Sequence, residues 1–171
     1  KISSGNISLQ MERINFVELI NQTIGEFAEK MDEKCLQVVT AMPERPVYIE
    51  ADSRRIWRVV ENLFSNVYKY ALEGTRVYLD LTEKTEEGRR SVCFSMKNIS
   101  AQQLNINADE LTERFIRGDV SRSTEGSGLG LSIAKNLTEL QNGKFDIYLD
   151  GDLFKVILSF PCMEEKKASR E

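Results

Sequence analysis

Residues 51–72 read ADSRRIWRVVENLFSNVYKYAL. Their apolar members, Ile56, Val59, Val60, Leu63, Phe64, Val67 and Ala71, lie at offsets of 0, 3, 4, 7, 8, 11 and 15. That spacing predicts an amphipathic helix with one buried face. Asp52 or Ser53 can cap its start by accepting orphan backbone N–H bonds. A second stripe shares the helix: Asn62, Asn66, Lys69 and Tyr70, at offsets of 0, 4, 7 and 8. Asn is a poor helix former because its side chain competes for backbone hydrogen bonds. Two of them one turn apart, followed by Lys, fit a solvated face or a polar line kept for a ligand.

Outward from this helix, the flanking segments predict an α/β domain. Asn15 caps a helix running to about Cys35, with Phe16, Leu19, Ile20, Ile24, Phe27, Ala28 and Met31 as its apolar stripe. The alternation of Ile7, Leu9 and Met11 before it reads as a strand. Leu36–Met42 and Val47–Glu50 read as strands around a turn with Pro43 and Pro46. On the other side, Arg76–Thr82 and Ser91–Met96 are strands joined by a charged hairpin loop, Glu83–Arg90. Ala101–Glu125 lacks a long period, with Asp109–Phe115 as a short helix inside it; a connection this long reads as a functional loop or lid. Gly128–Leu140 is a helix ending near Asn142-Gly143. Lys144–Leu149 and Phe154–Phe160 form a hairpin about Asp150-Gly151-Asp152, and Pro161 stops the sheet. The helices are expected on one side of a mixed sheet.

Composition narrows the class. The 171 residues suffice for one domain with a proper core. Hydrophobic residues make up 41% and charged residues 29%, as in soluble globular proteins. A net charge of −4 disfavours nucleic acid and anionic membranes as bulk electrostatic partners. No apolar run approaches the roughly 20 residues that span a bilayer, and no signal peptide is present. Cys35, Cys93 and Cys162 are isolated and odd in number, which fits a reducing compartment. The chain opens on Lys, as an excised piece would. It contains no histidine, which removes the commonest general base, metal ligand and phosphate acceptor.

A second stretch carries chemistry: Gly126, Ser127, Gly128, Leu129, Gly130 and Leu131, continuing into Ser-Ile-Ala-Lys135. Glycine admits close backbone approach to a ligand. A helix start adds free N–H donors and partial positive charge, so the physical inference is a phosphate site. A P-loop needs Lys-Ser/Thr after its last glycine, and Leu131-Ser132 follows here. A dinucleotide fold needs a strand directly before the glycines, and Phe115–Glu125 is not one.

Taken together, the stretches resemble a family. Glu61–Ala71 is similar to the N box of the ATP-binding catalytic domain of bacterial sensor histidine kinases, in the superfamily shared with gyrase, heat-shock chaperone and mismatch-repair ATPases. Phe115–Arg122 is similar to the end of the F box and the following lid, and Gly126–Lys135 to the second glycine box. The resemblance implies an α+β two-layer sandwich: a mixed, mainly antiparallel sheet, three main helices on one face and a long ATP lid. It implies residues 6–162 as the catalytic domain, 1–5 as the tail of a dimerisation helix, and 163–171 as a polar tail. It implies ATP and Mg²⁺ as ligands, with Asn66 on the metal and Asn62 lining the same cleft. Lys69 would contact phosphate, Tyr70 would pack near the nucleoside, and Arg117 would reach the terminal phosphate from the lid. Gly126 to Leu131 would supply the hinge and the backbone donors. The implied partners are a histidine-bearing dimerisation domain of the same protein and a downstream response regulator. The implied setting is the cytoplasmic side of a membrane-anchored sensor.

The chain departs from the family at its first glycine box, where Lys97-Asn-Ile-Ser-Ala101 stands for Asp-x-Gly-x-Gly. Asn98 takes the place of the adenine-reading aspartate. In the F box, Thr112 replaces the usual first Phe. These changes keep a degenerate nucleotide-binding module open as an alternative. A gyrase- or chaperone-type ATPase is another, but those relatives carry a water-activating glutamate where this chain has Asn62. Arg117-Gly118-Asp119 also spells a cell-adhesion tripeptide, which the cysteine pattern argues against.

Overall fold

The computed structural model describes residues 8–104 and 127–163, and of 127–129 the backbone alone. Seven strands form one sheet: β1 (Met11–Asn15), β2 (Gln37–Ala41), β3 (Tyr48–Asp52), β4 (Arg76–Glu86), β5 (Arg89–Ile99), β6 (Lys144–Asp150) and β7 (Leu153–Met163). Their order is β1-β3-β7-β5-β4-β2, with β6 also paired to β7. Only β2 and β4 run parallel; the other described pairs are antiparallel. The helices are α1 (Phe16–Glu26), α2 (Ala28–Glu33), α3 (Ser53–Tyr70) and α4 (Ser127–Leu140). They pack on one face of the sheet, giving the mixed, mainly antiparallel α+β sandwich that the sequence predicts.

The core lies between the layers. All seven apolar residues read from the 51–72 stretch are buried. Phe16 meets Phe94 and Phe160 edge to face, with ring centroids 6.0 Å apart in each pair. Asp52, not Ser53, caps α3, accepting from Arg54 N at 3.1 Å and Arg55 N at 3.2 Å.

Several boundaries differ from the sequence reading. The helix expected from Asn15 to Cys35 is interrupted at Phe27, two residues after Gly25, although Phe27 N still donates to Thr23 O. It closes where Leu36 N and Cys35 N bond back to Met31 O and Asp32 O, with Cys35 at φ 55. Ala28, placed on the apolar stripe, is exposed. The loop expected at Glu83–Arg90 is mostly strand. The ladder runs to Glu86↔Arg89, and Glu87 and Gly88, both at positive φ, make a two-residue turn. Its charges sit on a paired ribbon, where Glu83 bridges Arg45 and Arg90. Pro161 does not stop the sheet. It falls between the stretch of β7 paired with β6, ending at Ser159, and the stretch paired with β3, starting at Cys162. A residue without an N–H is tolerated at such a change of neighbour. Met163, assigned to the tail, pairs with Tyr48. Ile7, the 1–5 segment, the 164–171 segment and the Asp109–Phe115 helix lie outside the described residues.

Candidate functional site

The last two turns of α3 carry Asn66, Lys69 and Tyr70, and backbone bonds tie them to the end of β5. Leu72 N donates to Ile99 O, and Ala101 N to Tyr70 O, each at 2.8 Å. Ala71 and Ser100 form an isolated bridge beside them. The inward row of β5 is Val92, Phe94, Met96 and Asn98, and Ser100 just past the strand continues it, all buried. It turns polar at Asn98, where the strand passes under the end of α3. Sequence reasoning found Asn98 but missed Ser100, which the alternation along β5 could have placed on the same row.

Asn66 is the distinctive side chain. Its Oδ1 is buried and, among the described residues, accepts no hydrogen bond. A buried acceptor left unpaired costs about 1–3 kcal/mol, so such an atom calls for a functional explanation. An amide oxygen is a ligand suited to a hard cation such as Mg²⁺, which typically takes few protein ligands and completes its shell with water and phosphate oxygens. The described residues hold no cluster of three or more His, Cys, Asp or Glu able to bind a metal. The Asn66 amide oxygen is of the ligand type that Mg²⁺ takes.

One turn earlier, Asn62 reaches α4: its Nδ2 donates to Gly130 O at 3.5 Å, the weak end of a hydrogen bond. This contact joins the two stretches singled out in the sequence. The helix begins at Ser127, so Gly128 and Gly130 lie in its first turn. A Cβ on Gly130 would meet nothing within 4 Å, and its φ is not in the left-handed region. Among the described residues neither packing nor backbone conformation requires glycine there. Leu131 is 1% exposed, so its side chain belongs to the core and only its backbone can face a ligand. Ser132, not anticipated, is also buried. Lys69 is exposed and Tyr70 half-buried. Arg117 and Gly126 lie outside the described residues.

The described carboxyls with shifted pKa stand away from this cleft. Burial pushes Asp52 up, but N–H bonds from Gln10, Arg54 and Arg55 and the Arg55 charge outweigh it, and its pKa lies below the usual carboxylate range. Glu83 is also lowered, by Arg45 first, against burial, with Arg90 adding to the effect. Asp52 is about 21 Å from Asn66 along α3, by the helical rise of about 1.5 Å per residue. The described candidate site residues are amides (Asn62, Asn66, Asn98), Lys69, Tyr70 and the backbone at the start of α4.

Residues 51–166 match the family described as histidine kinase-, DNA gyrase B-, and HSP90-like ATPase. The chain is 28% identical to the sensor histidine kinase WalK of Bacillus subtilis (strain 168), over 98% of this chain and 27% of that protein. It is 27% identical to the sensor protein GacS of Pseudomonas syringae pv. syringae, over 98% of this chain and 19% of that one. It thus spans about a quarter or less of these relatives' length. In fold it is similar to the catalytic domain of histidine kinase ThkA, with a TM-score of 0.71, 24% identity, and 90% and 96% of the two chains covered. It also resembles full-length ShkA in complex with AMPPNP, with a TM-score of 0.72, 21% identity, and 94% and 33% covered.

Proposed function

The chain belongs to the histidine kinase-, DNA gyrase B- and HSP90-like ATPase family, and from that membership we propose that it is the Mg-ATP-binding catalytic domain of a two-component sensor histidine kinase. The observation that carries the reading is the buried, unpaired Asn66 Oδ1, one turn from the Asn62 that holds the glycine-bearing start of α4. Asn66 would hold Mg²⁺, and the metal when bound neutralises phosphate charge. The free N–H groups at the start of α4 and the Lys69 ammonium would meet phosphate oxygens. Asn98 would read adenine, accepting from the exocyclic amino group and donating to the adjacent ring nitrogen. Tyr70 would pack near the nucleoside, and Arg117 would reach the terminal phosphate. The γ-phosphoryl passes to the imidazole nitrogen of a histidine as ADP leaves, chemistry that rests on positioning and charge neutralisation.

The chain has no histidine, so the acceptor lies in a separate dimerisation domain of the same protein. A response regulator downstream takes the phosphoryl group from there. The whole protein is read as a membrane-anchored sensor with this domain in the cytoplasm. No helix among the described residues is long and apolar enough to cross a membrane. Asn62 disfavours a gyrase-type water-activating role at its position, because a neutral amide, unlike a glutamate, cannot take a proton from water. The missing glycines after Asn98 favour a second reading, a degenerate nucleotide-binding module.

Titration with ATP, with and without Mg²⁺, tests the reading, followed by labelling with γ-labelled ATP. Tight binding should require Mg²⁺. Acid-labile phosphate should appear only when the dimerisation domain is added in trans. Acid-labile label on this chain alone overturns the donor role, and absence of ATP binding leaves the degenerate module.

A further inference from the structure

Gln141 follows the last residue of α4 and is 1% exposed. A long polar side chain is rarely buried so fully unless both ends of its amide are used. Here both are. Oε1 accepts from Asp52 N, and Nε2 donates to Leu137 O, each at 2.8 Å. The second bond satisfies a carbonyl that the helix end leaves orphaned. The first crosses 89 positions of sequence to the residue that caps α3. The Asp52 carboxylate meanwhile takes Gln10 N at 2.8 Å and the Arg55 guanidinium at 3.1 Å. The start of α3 and the end of α4 therefore share one anchor.

The geometry then constrains the far end of α4. The two helices run antiparallel from this anchor and pack against each other, with a side-chain hydrogen bond between them at Asn62 and Gly130. Asn62 lies ten residues beyond Asp52, and Gly130 eleven before Gln141. Both are about 15 Å out, by the rise of about 1.5 Å per residue. Beyond Gln141, the chain is locked by Asn142 at φ 70 and by Gly143, where a Cβ would come within 2.5 Å of the Phe160 ring. The end of α4 is thus fixed from several directions; nearer its start, Leu131 is buried in the core and Asn62 bonds Gly130 O.

We infer that Gln141 is a positioning residue for the anion site. Its clasp on Asp52 N sets the tilt of α4 and so brings the N–H groups of Ser127 to Gly130 into line with Asn62 and Asn66. This rests on the proposed nucleotide site, but the clasp acts in the free protein and can be measured there.

The test compares Gln141→Met, which keeps length and loses both bonds, with Gln141→Glu, which keeps the acceptor for Asp52 N. Hydrogen exchange is followed in the nucleotide-free chain, and Mg-ATP affinity at a temperature where urea titration shows each variant folded. In Gln141→Met, exchange should rise at amides 131–135 with the β4 and β5 amides unchanged. Affinity for Mg-ATP should fall about 10-fold, with Gln141→Glu between Met and the parent. Uniformly faster exchange, or an affinity loss no larger in Met than in Glu, makes Gln141 a plain stability residue and overturns the inference. If Gln141→Met does not fold, Gln141→Glu against the parent decides by the same two readouts. A parent that fails to bind Mg-ATP while the local exchange change is present overturns the nucleotide reading and leaves the clasp standing.

Discussion

The two helices that flank the cleft are held in different ways. The end of α3 is tied into the sheet by backbone bonds at Leu72 and Ala101, and its start is capped by a buried carboxylate. α4 is held by its buried face, Leu131, Ala134 and Leu137, by the Gln141 clasp at its end and by the Asn62 bond at 3.5 Å near its start. A side that carries a metal ligand must keep its geometry before the ligand arrives. On the proposed reading α4 would instead offer the N–H groups of its start to the nucleotide.

The comparison can be broken most forcefully at α3. Phe64 is 1% exposed and packs against Phe27 with ring centroids 5.5 Å apart. Phe64→Ala should cost about 3–5 kcal/mol in urea unfolding. A cost below about 1 kcal/mol would mean that α3 is not the structural spine of the domain.

Asn66→Ala sharpens the contrast next. Removal of the unpaired Oδ1 should leave stability unchanged or slightly raised, since the atom carries a desolvation cost and no bond. Mg-ATP affinity should fall by at least the roughly 10- to 100-fold seen when even a metal's outer partners are lost. Equal calorimetric affinity in variant and parent would remove Asn66 from the site.

Asp52→Asn tests the shared anchor. An Asn can still cap a helix, so the cost at neutral pH should be about 1–2 kcal/mol, mostly from the lost charge on Arg55 and Gln10. The folded carboxyl titrates below its unfolded value. Its contribution is therefore complete above the unfolded pKa of about 3.9 and disappears as pH falls through the folded one. The stability gap between parent and variant should narrow as pH falls below about 3.9, and a gap that stays constant there would contradict the lowered pKa.

The smallest effect is expected near the start of α4. Asn62→Ala should cost about 0.5 kcal/mol, the low end for a single hydrogen bond. Exchange at the first α4 amides should nonetheless rise. No change there would show that the contact with Gly130 does not hold the helix start.

The same contrast explains what was legible in the sequence. The buried face of α3 repeats with one period over four turns, so all seven residues could be read, and the polar stripe stood out against it. The glycine stretch was legible because its residue types are unusual at a helix start. The Glu83–Arg90 ribbon was misread because charge mimics a loop, although Glu87-Gly88 alone suffices for the turn. Pro161 was misread because a change of neighbour along β7 leaves no local trace. The role of Gln141 was invisible for the same reason: a single amide at a helix end has no period, and its partner is distant in sequence.

The position of β7 bears on how the chain folds as it is made. In the order β1-β3-β7-β5-β4-β2, β7 is the one strand that links β1 and β3 to β5, β4 and β2. It is also the last of these strands in sequence. Synthesis proceeds at about 5–20 residues per second, and domains form as their parts emerge. Until Leu153–Met163 has left the ribosome, no described strand can join β1 and β3 to β5, β4 and β2 in this order. Pairings between distant strands are slow to form. Completion of this domain therefore waits on its final strand, and the cleft, whose floor is the end of β5, is finished with it.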